Sequence, residues 1–263
     1  MNASAHNNII YQIGRPYEQH SSINGVREVL ILAHNAAFLE DRIKALPWSA
    51  ALTPAAAQAH LDIGEVRSVD RGEPVLREGA SADFVYSIAD GALTVEKGRS
   101  AGDTQIVGFL FQGDMFGVVH DERYSYSVRA TVPCELLALP RPAFERICER
   151  YPSVQRAMLQ MASNELAGAQ DHLVILGRKS AIERVSSFLL MLSERNSRLG
   201  YPAETPIWLP MRRADIANYL GLTLETFSRV FTDLKRRGVI QAQSMRHVRV
   251  RDVDGLRELA EKC

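Results

Sequence analysis

Apolar and polar residues follow a different spacing in successive parts of the chain, and each spacing predicts a different kind of element. Residues 1–25 are mostly polar and predict a tail, whereas residues 26–46 have enough helical spacing for an amphipathic helix. From about residue 63 to residue 140, short β-type runs alternate with turn residues. The runs read GEVRSV, PVLRE, FVYSIADG, ALTVEKG, TQIVGFLFQG, YSYSVRATV and CELLALP. Closely spaced strands without intervening helices predict an antiparallel roll or sandwich, because a parallel sheet needs crossover helices.

Residues 211–238, MRRADIANYLGLTLETFSRVFTDLKRRG, combine a helix, a glycine turn and a second helix. Ile216, Ala217 and Leu220 share one face of the first helix. Gly221 can adopt a positive φ at the turn, and Thr223 fits the N-cap position of the second helix. The second helix carries an apolar stripe that can dock on the first, formed by Leu224, Phe227, Val230, Phe231 and Leu234. This pattern predicts a helix-turn-helix, whose second helix lies in the DNA major groove.

Three polar residues of the second helix, Glu225, Ser228 and Arg229, are the candidates for DNA base contacts. On an ordinary helix, an acid in the first turn and an acid-base pair four residues apart are surface decoration. The N-terminal end of a recognition helix, however, is the part that reaches base edges. Arginine suits guanine O6 and N7, and glutamate can accept from cytosine N4. We therefore predict that these three residues contact bases.

A long helix is predicted from Pro152 to about Gly177, after a short helical segment that ends at Arg150. Its apolar residues recur at alternating intervals of three and four, as in a coiled-coil seam. The seam consists of Leu159, Ala162, Leu166, Ala169, Leu173 and Leu176. On an arbitrary helix such a stripe more often packs within its own chain. Here we favour a dimer, because helix-turn-helix proteins commonly bind DNA as two-fold dimers.

Charge is segregated along the chain although the net charge is zero. Residues 178–251 carry 14 Lys and Arg against 6 Asp and Glu, so this segment is +8 and the remainder is −8. A basic segment beside an acidic one is expected when one domain meets phosphate and the other does not. Contacts to the DNA backbone are predicted for Arg212, Arg213, Thr223, Lys235 and Arg246; for Lys235 and Arg246 the alternative, a role in surface solvation alone, is about as common. Two short β runs in residues 239–251 predict a wing hairpin that carries Arg246.

Composition excludes several other classes of protein. The 263 residues, 46% of them hydrophobic and 24% charged, suffice for two compact domains. The sequence contains no run of 18 apolar residues and no secretion-signal pattern. Its three cysteines, Cys134, Cys148 and Cys263, fit a reducing compartment. We therefore predict a cytoplasmic protein without membrane contact. The motifs G-x-S-x-G, G-x-G-x-x-G, H-E-x-x-H and C-x-x-C and the P-loop are missing from the sequence, which predicts a binding protein rather than an enzyme.

Together these segments resemble the CRP/FNR family of transcription regulators over about residues 50 to 255. The most specific stretches are LGRKSAIERVSSFLL at 176–190, DIANYLGLTLETFSR at 215–229 and FLFQGDMFG ending at Gly117. The resemblance implies an α+β protein. An N-terminal tail and helix (1–45) would precede a jelly-roll-like, cyclic-nucleotide-binding-type antiparallel β-roll that acts as sensor (46–150). A dimerisation helix (151–178) and a winged helix-turn-helix domain (179–263) would follow.

Within that family the sequence is most similar to the FNR/FixK branch, whose recognition helix carries E-x-x-S-R, present here as Glu225, Ser228 and Arg229. The resemblance implies a homodimer that binds palindromes of TTGA and TCAA half-sites on double-stranded DNA. It also implies an activator that touches RNA polymerase. The expected targets are genes of low-oxygen respiration or nitrogen metabolism, including nitrogen fixation.

The sensor departs from its family in two respects. Oxygen-sensing members carry several N-terminal cysteines, whereas this chain has none before Cys134, and a [4Fe-4S] cluster usually needs four thiolates. In the family's cyclic-nucleotide pocket an Arg-Ser pair follows a glycine turn; here GDMFG at 113–117 is followed by Tyr124 and Ser125. The loss of that cation should weaken phosphate binding, although Arg123 is one position away. No cofactor is therefore predicted.

Other sensing chemistry rests on single residues. A haem site would rest on His120, with His34 or His60, but a lone loop histidine is usually solvated or hydrogen-bonded. Cys148 and Cys134 are redox candidates; Arg146 and Arg150 would lower the Cys148 pKa if the thiol is exposed, and burial would raise it. The alternative to a DNA-binding regulator is a regulatory or adaptor protein that binds a small molecule of cyclic-nucleotide type in its roll.

Overall fold

The computed structural model describes residues 52–98, 104–119 and 121–261. The tail and helix predicted for residues 1–45 lie outside these ranges. Within them, the first half of the chain is a roll of short strands. The strands are β1 (Glu65–Val69), β2 (Pro74–Leu76), β3 (Phe84–Asp90), β4 (Ala92–Gly98), β5 (Thr104–Phe111), β6 (Met115–Phe116), β7 (Ser127–Ala130) and β8 (Cys134–Pro140).

Two four-stranded antiparallel sheets form the roll, with strand orders β1-β8-β3-β6 and β2-β7-β4-β5. Alternate residues of each strand point into the space between the sheets, so that Ile88, Leu93 and Leu136 are buried there. Each sheet pairs strands that are distant in sequence, for example Val66 with Leu137. The predicted antiparallel roll is confirmed, and β5 lies at the outer edge of its sheet.

A helix that the apolar spacing did not predict, α1 (Pro54–Ile63), precedes the first strand. The Thr53 hydroxyl caps it by accepting from the amide of Ala56, and Pro54 occupies its first turn. Its sequence, PAAAQAHLDI, consists largely of alanine, so its apolar residues mark no distinct face. Only the cap and the proline signalled it.

Three helices follow the roll: α2 (Arg141–Arg150) and α3 (Pro152–Arg178), which lead to the C-terminal domain, and α4 (Ala181–Arg198), which packs in the core of that domain. The 27 residues of α3 form one helix about 40 Å long, which confirms the predicted long helix. Its buried residues, Val154 and Ala157, lie in its first two turns. Helix α4 begins with a capping box in which Ser180 and Glu183 bond each other's backbone amides.

The C-terminal domain contains β9 (Ile207–Trp208), α5 (Arg213–Tyr219), α6 (Leu224–Arg236), β10 (Ile240–Ala242), β11 (His247–Val250) and α7 (Val253–Ala260). Helices α5 and α6 form the predicted helix-turn-helix, and β10 and β11 form the predicted wing, extended by β9 into a three-stranded sheet. Phe227, Phe231 and Leu234 are buried as the spacing predicts, but Leu224 is 49% exposed. It is the first residue of α6, at the end of the stripe. Neither β9 nor α7 was predicted.

Candidate nucleic-acid interface

The turn between α5 and α6 fixes the start of the recognition helix. Gly221 has φ +62°, the left-handed conformation that glycine adopts without steric cost. The Thr223 hydroxyl accepts from the amide of Thr226 at 3.1 Å and so caps α6. Both predictions for this turn are confirmed. The DNA-backbone contact also predicted for Thr223 stays a prediction; its exposed hydroxyl is already bonded to Thr226 in the cap.

Glu225 and Arg229 are exposed on α6, and Ser228 beside them is half-buried. The two charged residues are four positions apart, the spacing of an ordinary surface ion pair. Within the described part of the chain, however, no hydrogen bond or salt bridge joins them. Neither side chain is bonded to another side chain among the described residues, so the carboxylate and the guanidinium remain available to base edges. This arrangement favours base contact over surface decoration.

The basic residues around α6 differ in how far they are already neutralised. Asp233 accepts from Arg236 at 2.6 Å and from Arg237 at 2.7 Å, and these two guanidinium groups hold the pKa of its carboxyl below the ordinary value. Lys235 is exposed, and the Arg213 guanidinium lies 5.2 Å from the centre of the Phe231 ring.

Arg212 is placed differently from the other predicted backbone contacts. Its guanidinium donates twice to the carboxylate of Asp215, at 2.8 and 3.0 Å. Together with Asp215 it lines a cleft against the roll, opposite Thr94, Glu96 and Arg129. Arg212 and Arg213 were predicted to play the same role because they are adjacent in sequence. In the structure, the guanidinium of Arg212 binds Asp215, whereas that of Arg213 lies near the Phe231 ring.

The wing presents Arg246 at an exposed hairpin tip. The carbonyl of Arg246 accepts from the amide of Leu209 at 2.7 Å, which ties the tip to the segment after β9. The hydroxyl of Ser244 accepts from the amide of Arg246 and bonds the ring of His247, so the tip is internally braced. Arg246 is thus presented to solvent on a fixed backbone, as a phosphate contact requires.

The seam of α3 lies on the surface of the single chain. Leu159, Leu166 and Leu173 are 69, 61 and 70% exposed, and Ala162 and Ala169 are also exposed. Leu176 is half-buried; a side chain on Gly221 would approach it at 3.4 Å. Five of the six seam positions are therefore left exposed by the described residues of their own chain, which favours a dimer over the intramolecular interpretation of the stripe.

In the roll, the turn GDMFG is engaged with the DNA-binding domain. Arg195 of α4 donates to the Asp114 carboxylate at 3.1 Å and to the carbonyl of Gln112 at 3.0 Å. Burial raises the pKa of Asp114, and the nearby Arg195 acts in the opposite direction. Sequence reasoning missed this contact, because Arg195 lies 81 residues from its partner.

Tyr124, at the position of the missing arginine, is fully occupied within the roll. Its hydroxyl donates to the carbonyl of Phe84 at 2.7 Å and accepts from the Phe84 amide at 3.2 Å. The Arg123 guanidinium turns to the carbonyl of Gly79, at 2.7 Å. Tyr124 therefore supplies no cation for a cyclic phosphate, and Arg123, which is exposed, directs one N–H group to the main chain of the roll.

The two described cysteines are not activated. Cys134 is buried, with Sγ bonded to the carbonyls of Val132 and Ala92, and burial raises its pKa to about 11. Cys148 is half-buried, and burial followed by the charge of Glu145 raises its pKa, against the effect envisaged for Arg146 and Arg150. Both thiols are therefore protonated near neutral pH.

The histidines considered for haem give no site within the described residues. His60 is buried, its Nδ1 bonds the carbonyl of Ala56 at 2.8 Å, and its ring packs edge-on against Phe144. His34 and His120 lie outside the described ranges. No group of three or more His, Cys, Asp or Glu residues that could hold a metal ion occurs in the parts of the chain that are described. The helices described there also include none that could cross a lipid bilayer.

Two family models match the chain. The Crp-like helix-turn-helix domain matches residues 183–259, and the cyclic nucleotide-binding domain matches residues 66–151. The first contains α4 to α6 and the wing, and the second contains the strands of the roll. Both matches agree with the architecture seen in the structure.

Individual proteins extend the match across both domains. The nitrogen fixation regulation protein FixK of Azorhizobium caulinodans is 36% identical over 203 residues, which cover 77% of this chain and 82% of that protein. The transcriptional activator protein FnrL of Cereibacter sphaeroides is 36% identical over 197 residues, which cover 74% and 79%. The solved structure of FixK2 from Bradyrhizobium japonicum has a TM-score of 0.69 and 32% identity, and the match covers 75% of this chain and 97% of that one.

Proposed function

Because this chain belongs to the CRP/FNR family of transcription regulators, in its FNR/FixK branch, we propose that it binds TTGA/TCAA palindromes in promoter DNA as a homodimer. It is a DNA-binding transcription regulator and not an enzyme. The observation that carries the finer proposal is the pair Glu225 and Arg229, exposed at the start of α6 and not bonded to each other.

The chemistry of this pair suits the half-site. TTGA contains a single G·C pair, and Arg229 can donate to O6 and N7 of its guanine while Glu225 accepts from N4 of the paired cytosine. Ser228 lies between them and adds a hydroxyl. Exposed Lys235 and Arg246, with Arg213, supply phosphate contacts that hold α6 in the groove. Arg212 serves this purpose less directly, since Asp215 already engages its guanidinium.

The exposed seam of α3 supports the dimer. Leu159, Leu166 and Leu173 are seven residues apart and lie on one helix face, with Ala162 and Ala169 between them. Two such helices pack along this face about a two-fold axis. A two-fold protein matches a palindrome, because each recognition helix then meets one half-site about 34 Å from the other.

The names of the relatives support a proposal for the biological role. FixK is named for the regulation of nitrogen fixation and FnrL is named as a transcriptional activator. We assign this protein to the same kind of control, over genes of nitrogen metabolism or low-oxygen respiration, through contact with RNA polymerase in the cytoplasm. The protonated thiols and the occupied turn of the roll favour a regulator whose signal arrives from elsewhere, without an iron-sulfur cluster of its own.

Replacement of Arg229 by alanine tests the base contact. Fluorescence anisotropy compares a TTGA palindrome with one in which both G·C pairs are A·T. Arg229→Ala should lose about 1 to 3 kcal/mol of affinity for the TTGA site and should no longer distinguish the two sequences. Arg156→Ala, a change at an exposed arginine of α3, is the matched control and should behave as wild type. Undiminished discrimination by the Arg229 variant would refute the assignment.

A further inference from the structure

The first helix of the helix-turn-helix is bonded to the free edge of the roll. β5 is the outer strand of its sheet, and an edge strand presents main-chain groups without a strand partner. The Asn218 side chain of α5 meets two of them: Oδ1 accepts from the amide of Ile106 at 2.7 Å, and Nδ2 donates to the carbonyl of Thr104 at 3.3 Å. The Gln105 side chain donates in return to the main-chain carbonyl of Asn218, at 2.7 Å.

Apolar contacts surround these hydrogen bonds. Ile106 is only 7% exposed and belongs to the hydrophobic core of the DNA-binding domain, although it is a residue of the roll. The Phe109 ring lies 5.1 Å from that of Tyr219, which follows Asn218 in the chain. His172 of α3 stacks on Tyr219 as well, with ring centres 4.0 Å apart. The end of α5 is therefore fixed to the roll and to the long helix together.

We propose that Asn218 is a positioning residue for DNA binding: its carboxamide joins the edge of β5 and sets the orientation of the recognition helix relative to the dimer helix. A primary carboxamide carries a donor and an acceptor side by side, so it can pair with an amide and a carbonyl of one strand, as a neighbouring strand would. This proposal rests on the proposed binding of a palindrome by a dimer.

The contact between α5 and the edge of β5, called the dock from here on, is compatible with DNA binding. Asn218 bonds the roll from α5, whereas Glu225 and Arg229 are exposed on α6 while the dock is formed. Docking thus leaves the base-reading residues free. It also restricts how the two recognition helices of a dimer can move, so less orientational freedom is lost when both half-sites are engaged. The second half-site is then met at a higher effective concentration.

The test compares a palindrome with a single half-site, using the full chain. Asn218→Ala should weaken binding of the TTGA/TCAA palindrome by about tenfold, because the linked second contact becomes less favourable. Binding of a duplex that contains one TTGA half-site should stay within about twofold of wild type, since α6 itself is unchanged. Hydrogen exchange, read by mass spectrometry on a peptide spanning 104–111, should become faster as the amide of Ile106 loses its acceptor.

Two further variants make the result decisive. Gln105→Ala removes the donor on the roll side and leaves every residue of the DNA-binding domain intact, so it should show the same selective loss in milder form. Asn196→Ala, at a half-buried asparagine of α4, is the matched control and should match wild type.

Three outcomes are distinguishable. If Asn218→Ala showed faster exchange at 104–111 but an unchanged affinity for the palindrome, the proposal would be overturned. It would also be overturned if both Asn218→Ala and Gln105→Ala lost as much affinity for the half-site as for the palindrome. A wild-type protein that does not prefer the palindrome to the half-site would instead refute the proposed dimeric function.

Discussion

Single residues differ in whether their hydrogen-bonding groups are already engaged, and this decides which of them DNA can use. Arg212, Arg236 and Arg237 each donate to a carboxylate of their own helix-turn-helix, whereas Glu225 and Arg229 do not pair with each other. The sequence alone does not show whether an arginine is already paired with a carboxylate or is available to DNA. A count of basic residues therefore does not identify which side chains can bind phosphate or bases.

A buried histidine makes the stability of the roll depend on pH. Burial lowers the pKa of His60 below its ordinary value of 6.5, so the unfolded chain takes up a proton before the folded one. The contribution of His60 to the free energy of unfolding should then be fully present above about pH 6.5 and should fall as the pH drops below it, until the folded pKa is reached. His60→Leu should make this fall shallower. Urea unfolding at pH 7.5 and pH 5.5 measures both slopes.

The difference between the two slopes isolates His60. His172, whose pKa burial also lowers, contributes a fall of the same sign to both proteins. Asp114 and Glu165, whose pKa values burial raises, contribute equally to both as well. Equal slopes in wild type and variant would show that His60 is not responsible.

At the scale of elements, the helix-turn-helix depends on one left-handed residue. Gly221 bends the chain between α5 and α6 in a backbone conformation that residues with a side chain rarely adopt. A Cβ at this position would lie 3.2 Å from the Arg184 guanidinium and 3.4 Å from the Leu176 side chain. The same Arg184 donates to the carbonyls of Leu220 and Leu176. The turn is thus bound to the end of α3 as well as to its own domain.

Gly221→Ala should lower the free energy of unfolding by about 1 to 2 kcal/mol, because a left-handed alanine is strained. Gly168→Ala in the middle of α3, with nothing within 4 Å of the new Cβ, should stabilise by about 0.5 to 1 kcal/mol. Thermal unfolding of the two variants should therefore shift in opposite directions. A shared direction would mean that backbone conformation does not govern the response at Gly221.

At the scale of the whole molecule, the described chain leaves the seam of its long helix exposed. The exposed leucines of α3 and the +8 charge of residues 178–251 belong to different surfaces, one for a second copy and one for DNA. Apolar burial between two α3 helices is favourable, whereas two basic domains repel each other until phosphate neutralises them.

Leu166→Glu should therefore yield monomers, since it places a charge in the centre of the seam. Sedimentation at micromolar concentration measures the change, and palindrome affinity should fall with it. Ser163→Glu, an exposed position of α3 outside the seam, is the control and should leave the dimer intact. A Leu166→Glu dimer would show that another surface joins the protomers.

The spacing of apolar residues predicted the elements that have a regular local pattern. It did not predict short or alanine-rich elements, or contacts between residues distant in sequence. The seam, the helix-turn-helix and the strands of the roll follow from spacings within about ten residues. The alanine-rich α1 and the two-residue strands β6 and β9 have no such spacing. The bonds from Asn218 and Arg195 to the roll join residues more than 80 positions apart, and nothing local to either one announces them.

The dock on β5 also bears on solubility. A bare sheet edge is a template on which another chain can add a strand, and Thr104–Phe111 is rich in apolar and β-forming residues. With α5 in place, Asn218 occupies two of the edge's main-chain groups and Ile106 is covered. Release of the DNA-binding domain would uncover an aggregation-prone edge. We therefore expect the contacts proposed to orient the recognition helix to protect the protein from self-association through this edge as well.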